Sequence, residues 1–173
     1  MLTEPKRIAY VSRRQLIRSA VAGGYCLIVG TEIVGATWPT YWQVDRLRFH
    51  ADFALRQDTD VVRDTLDLYR AVPRAIGCQP NDEAIYLYLF SNKKTYQRYL
   101  KQYFPGVPYR RALFIKQRGP GMVFAYFSTD FGVDLRHETT HAVLHTMLPM
   151  VPLWLDEGLA EYFEVPEAER YQG

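Results

Sequence analysis

At 173 residues, with 48% hydrophobic and 23% charged residues, the chain has an ordinary globular balance and enough length for one domain with a real core. A formal charge of +2 is too small to recruit nucleic acid or an anionic membrane surface. With only two cysteines, Cys26 and Cys78, neither a disulfide framework nor a cysteine-based zinc site can be built.

The N-terminus differs in kind from the rest. Basic residues Arg13, Arg14 and Arg18 precede an apolar run from Ala20 to Trp38, which is the layout of an export signal. Ser12 to Arg18 resembles a twin-arginine signal, with Leu16 where phenylalanine is commonest, and Val34-Gly35-Ala36 offers small residues for cleavage. The other reading is an uncleaved membrane anchor, which Glu32 and the glycines weaken. Cleavage after Ala36 would remove five basic residues (Lys6, Arg7, Arg13, Arg14, Arg18) and two acidic ones (Glu4, Glu32), taking the charge from +2 to −1. Residues 1–40 are therefore assigned to targeting, as signal or tether, and 41–173 to the folded domain, in the periplasm or cell envelope.

From Tyr41 onward, elements alternate. Arg46–Leu55 alternates apolar and polar residues and predicts a strand. From Asp58 to Ala71, Val62, Leu66 and Tyr69 recur at helical spacing, and Gly77 ends the unit. Ala84–Phe90 is a short apolar run of β-formers and predicts a buried strand. Ser91 or Asn92 can cap a helix in which Tyr96, Tyr99 and Tyr103 form a stripe, read as core rather than an aromatic ligand platform. Arg110–Gln117 and Gly121–Phe127 are β-like and flank a turn sequence, so a hairpin is expected. After Asp130 the period becomes helical up to Pro149, and Pro152 opens a last helix from Leu153 to Phe163. The order predicts an α+β domain with one twisted mixed sheet of about four strands, backed by helices.

The last hairpin leads into "HETTH". On a helix, His137 and His141 lie four apart on one face and can aim both imidazoles at one point. Glu138 projects beside that point, within reach of a water on a metal held there. Zinc accepts imidazole nitrogen and lowers the pKa of its water, so the glutamate can act as general base. The competing reading is a buried amphipathic helix that carries histidines by chance. A catalytic zinc needs a third protein ligand. Glu157, separated from His141 by fifteen residues, is brought opposite the histidines if the chain turns at Pro149 and returns. Gly158 would let the two helices approach closely, and Glu161, one turn on, could fix the tautomer of a ligating imidazole.

"HETTH" followed by "WLDEGLAEYFE" resembles the gluzincin metallopeptidases of the peptidase-MA-like clan. Arg46–Glu164 is also similar to uncharacterised exported bacterial peptidase-MA-like domains. The resemblance implies a zincin-like fold, one Zn(2+) per chain held by His137, His141 and Glu157, Glu138 as base, and peptide or protein as substrate. It also implies an exposed edge strand, here Gly121–Phe127, to which an extended peptide pairs; the alternative is an ordinary inner strand. The spacing from His141 to Glu157 is shorter than in many aminopeptidase-type members. Gluzincins usually continue into a helical C-terminal wall that supplies an oxyanion-stabilising His or Tyr, whereas here the chain stops nine residues after Glu164. Tyr162 and His145 are the local substitutes, and each also reads as a packing residue. His50 reads as structural, Asp156 as a cap or solvated residue of the last helix, and Cys78 as a small buried residue. The alternative function is a catalytically silent or truncated zinc-binding module that binds peptides or takes part in envelope assembly.

Overall fold

The computed structural model describes residues 38–117 and 119–170. The segment assigned to export or anchoring lies outside them, apart from its last three residues. No helix among the described residues is long and apolar enough to cross a membrane. The folded unit begins earlier than Tyr41, because Thr40–Val44 is already a strand, β1. Its short alternation escapes notice behind the apolar run that precedes it. Trp42 stacks on Phe49 at 4.1 Å, while the Thr40 hydroxyl donates to the Phe53 carbonyl at 2.7 Å. Trp38 packs edge-on against Phe90 and Tyr99.

A two-residue turn with Asp45 at φ 52° joins β1 to β2 (Leu47–Ala51); aspartate tolerates this left-handed conformation. There follow α1 (Asp60–Ile76), β3 (Ile85–Phe90), α2 (Lys93–Tyr103), β4 (Ala112–Ile115), β5 (Gly121–Tyr126), α3 (Phe131–Met147), α4 (Leu153–Glu164) and a 3-10 turn at Glu167–Glu169. Gly77, at φ 72°, stops α1 and donates its N–H to the Pro73 carbonyl. The Asn92 side chain accepts from the Thr95 N–H at 3.0 Å and starts α2.

The sheet is mixed and has five strands, in the order β1-β2-β3-β5-β4, rather than four. β2, β3 and β5 run parallel, and the two outer strands are antiparallel to their neighbours. For Gly121–Phe127 the sequence left two readings, an edge strand and an ordinary inner strand, and the edge reading is not the one observed. The segment forms the inner strand β5, buried along all six residues between β3 and β4. The edge beside the motif helix is β4.

The alternation of each strand feeds two cores. Leu87, Leu89, Val123 and Ala125 face α1, α3 and α4, whereas Tyr88, Phe90, Phe124 and Tyr126 face α2. Tyr96 and Tyr99 belong to the second core, as a packing stripe does. α3 lies between the sheet and the other two helices and is buried around most of its circumference. That position forces its polar side chains, including both motif histidines, to find partners inside the protein.

Candidate metal centre

α3 carries His137 and His141 one turn apart, 6% and 1% exposed. α4 runs antiparallel to it, because His137 meets Glu164 at the far end of α4 and His145 meets Asp156 at its start. Arg136 fastens this pairing. Its guanidinium, 7% exposed, donates to the Phe163, Glu164 and Val165 carbonyls, which α4 leaves open at its C-terminus. Burial pulls the Arg136 pKa below its usual value. Gly158 takes no part in the approach of the helices: it is exposed, and a Cβ there would meet nothing within 4 Å. Small Ala160, fully enclosed, lies on the buried face of α4 instead, while Ala142 of α3 faces Gly121 of β5.

The Nε2 atoms of His137 and His141 stand 3.2 Å apart. A Glu157 carboxylate oxygen lies 3.6 Å from the first and 3.9 Å from the second. Zinc bonds of about 2.0–2.2 Å in tetrahedral geometry put ligand atoms about 3.3–3.5 Å from one another, so the three donors already stand close to the spacing an ion requires. The Nδ1 atoms face outward onto carboxylates. His137 Nδ1 donates to Glu164 at 2.7 Å, and His141 Nδ1 to Asp156 at 2.9 Å. These bonds place the ring proton on Nδ1 and turn both Nε2 lone pairs toward the same point. Two facing lone pairs repel unless a metal ion or a proton lies between them. The donor set thus suits a borderline-soft divalent ion.

Both partners of the imidazoles differ from the expected one. Glu161 is exposed on the solvent side of α4. At about 100° per residue, the buried stripe Asp156, Ala160 and Phe163 flanks Glu157 on one side, and Glu161 falls on the other. Asp156 is neither a cap nor solvated: it is 1% exposed and makes no capping bond. It accepts from His141 with one oxygen and from His145 Nε2, at 3.3 Å, with the other. An aspartate at a helix position otherwise occupied by core residues was the signal in the sequence. Glu164, two turns beyond Glu157, had the spacing for its role but no other mark.

Electrostatics follow from this packing. Burial pushes the Asp156 carboxyl up, but hydrogen bonds from His141 and His145 outweigh it and hold the pKa at about 2. Burial pulls His141 down, while the Asp156 hydrogen bond and the charges of Asp156, Glu138 and Glu157 lift it above the usual value. The pocket therefore attracts positive charge. Glu138 is half-buried and is pushed up by burial, against the two imidazoles, a backbone hydrogen bond from Phe114 and the charge of Arg110.

Glu138 and His137 line a cleft of about 200 Å³ with Arg110, Arg111, Ala112 and Asp134. The cleft opens at the start of the edge strand β4. His145 is half-buried on Asp156 and tilts against Phe114 at 5.4 Å, so it buttresses the centre from behind. Tyr162 is 42% exposed beneath the Arg170 guanidinium and is not among the cleft-lining residues. His50 lies far along the sheet, among Tyr41, Tyr86 and Tyr88. Cys78 is a free thiol of intermediate exposure. No protein-family model and no curated protein matches the chain, so the geometry of this centre is what bears on its function.

Proposed function

We propose that the chain is a zinc-dependent metallopeptidase of zincin-like fold, similar to the gluzincins, with one zinc held by His137, His141 and Glu157. The observation that carries this reading is the convergence of three donors, Nε2 to Nε2 at 3.2 Å and the Glu157 oxygen at 3.6 and 3.9 Å, with both Nδ1 atoms fixed by carboxylates. When bound, the ion supplies Lewis-acid polarisation of a water and of the scissile carbonyl. Glu138 lines the same cleft as His137, and burial pushes its carboxyl above the usual value. It takes the proton of the attacking water and passes it to the leaving amine. Asp156 and Glu164 orient the imidazoles, and Arg136 keeps α4 in register with them. β4, with one side unpaired, offers its backbone to an extended peptide, as edge strands do in strand-addition recognition. If the N-terminal segment is read as an export signal or tether, this activity belongs to the periplasm or cell envelope.

A second reading is favoured by one observation. The Glu138 carboxylate takes a backbone hydrogen bond from Phe114, on β4, which holds it to the edge strand. A zinc-binding module without turnover, acting in peptide binding or envelope assembly, would keep it there. Metal content separates the readings when measured on the full chain beside His141→Ala and Glu157→Ala, with peptide-library cleavage by wild type beside Glu138→Gln. The expected result is about one zinc per chain, lost in both ligand variants, and cleavage that falls at least about 100-fold in Glu138→Gln. Zinc without cleavage selects the silent module. Folded protein that takes up no zinc overturns both.

A further inference from the structure

The two arginines of the cleft differ in what balances their charge. Arg111 is held by Asp130 and by Asp134, the latter at 3.0 Å. Arg110, next to it and half-buried at the mouth of β4, makes no hydrogen bond or ion pair among the described residues. It lines the same cleft as Glu138, which the peptidase reading commits to proton transfer. A half-buried guanidinium with no acceptor has lost part of its hydration without replacement. Its planar fork suits a carboxylate, held through two parallel hydrogen bonds.

Position narrows the ligand further. Arg110 lies two residues ahead of Ala112 and lines the same cleft as Ala112, His137 and Glu138. Phe114, further along β4, is level with His141 and His145. Arg110 is therefore displaced from the donor cluster toward the N-terminal end of the edge strand. A peptide that pairs antiparallel with β4, the commoner pairing, has its C-terminal part beside Arg110 when its middle lies at the donors.

We infer that Arg110 is a specificity residue that binds a carboxylate of the peptide on the C-terminal side of the scissile bond. This deepens the peptidase reading and rests on it for the location of that bond. Two sources share the chemistry: a free peptide C-terminus and an acidic side chain.

Two peptide pairs test the inference on the full zinc-loaded chain. One pair carries a C-terminal carboxylate or its amide, the other an internal Glu or Gln. The readout is the ratio within each pair of Kd by calorimetry, or of kcat/KM where a peptide is cut. Wild type is expected to favour the charged member of at least one pair by about tenfold, and that pair names the source. The preference should vanish in Arg110→Ala and survive in part in Arg110→Lys, with zinc content unchanged in both. Equal ratios for wild type in both pairs, no binding of any peptide, or a preference that persists in Arg110→Ala overturns the assignment. A chain that cuts both members of each pair equally keeps the peptidase reading and loses this inference. One that binds carboxylates through Arg110 yet cuts nothing does the reverse.

Discussion

Asp156 and Glu164 are 15 and 27 positions from the histidines they hold, yet each makes a short bond to an Nδ1 atom. Carboxylates behind metal-binding imidazoles set the tautomer, and their loss costs about 10–100-fold in metal affinity. Asp156→Asn and Glu164→Gln are therefore expected to fold and to bind zinc about 10–100-fold more weakly, with Asp156 the more damaging because it also anchors His145. A competitive zinc chelator titration reads this directly, and affinity unchanged in both variants would show that the two carboxylates are incidental. At this scale the sequence discloses the three side chains that the fold brings together, His137, His141 and Glu157, because a four-residue spacing puts the two histidines on one face of a helix. It conceals the supporting carboxylates. Which flank of α4 is buried depends on how that helix rolls against α3, and a short, broadly apolar helix leaves that angle open.

Among the elements, α4 depends on a neighbour for its own termination. The C-cap Val165 is extended, with no capping glycine, and three carbonyls around it accept from Arg136. Arg136→Leu keeps the apolar bulk but removes the side-chain donor to the Phe163 and Glu164 carbonyls, while Val165 keeps its bond from Arg170 Nε at 2.8 Å. It is expected to destabilise the fold by about 3 kcal/mol and to lower zinc affinity together with stability, since Glu157 and Glu164 lie on the element it releases. Denaturant unfolding beside zinc titration checks this, and loss of neither would remove Arg136 from the account. Element type was legible almost throughout, since the runs are strongly periodic, with Gly77 and Pro149 marking helix ends and Pro152 a helix start. β1 was not, because it is five residues long and follows directly on an apolar run of similar composition. The place of β5 was not either. A strand buried on both faces reads the same whether one or two neighbours pair with it, and strand order is a property of the sheet rather than of any one run.

For the whole molecule, acid sensitivity should come from the end of the sheet away from the cleft. His50 is 4% exposed, and neither ring nitrogen has a partner among the described residues. Tyr86 and Tyr88 stack on it, and Trp38 and Tyr41 complete the enclosure. Burial lowers its pKa from 6.5 to about 4. Between those values the unfolded chain binds a proton that the folded chain refuses. Stability is therefore fully present above pH 6.5 and is lost as pH falls toward 4, by an amount on the order of 3 kcal/mol. His50→Phe, similar in shape and without the orphaned nitrogens, is expected to be as stable as wild type or more so at pH 7 and to flatten the acid limb. Thermal unfolding from pH 4 to 8 tests this, and an unchanged slope in His50→Phe would place the acid sensitivity elsewhere. The sequence marks His50 as structural but says nothing of its enclosure, which forms only when three strands and Trp38 come together.

Every side chain that converges on the metal centre belongs to residues 136–164, two consecutive helices joined by a short link. The centre is thus local in the chain, while the cleft wall bearing Arg110 comes from a separate stretch. Ion capture and choice of ligand are consequently separable by inheritance and by design. On the peptidase reading, the helical pair could be moved to another sheet as a unit with its donor set intact, while the edge beside it is rewritten.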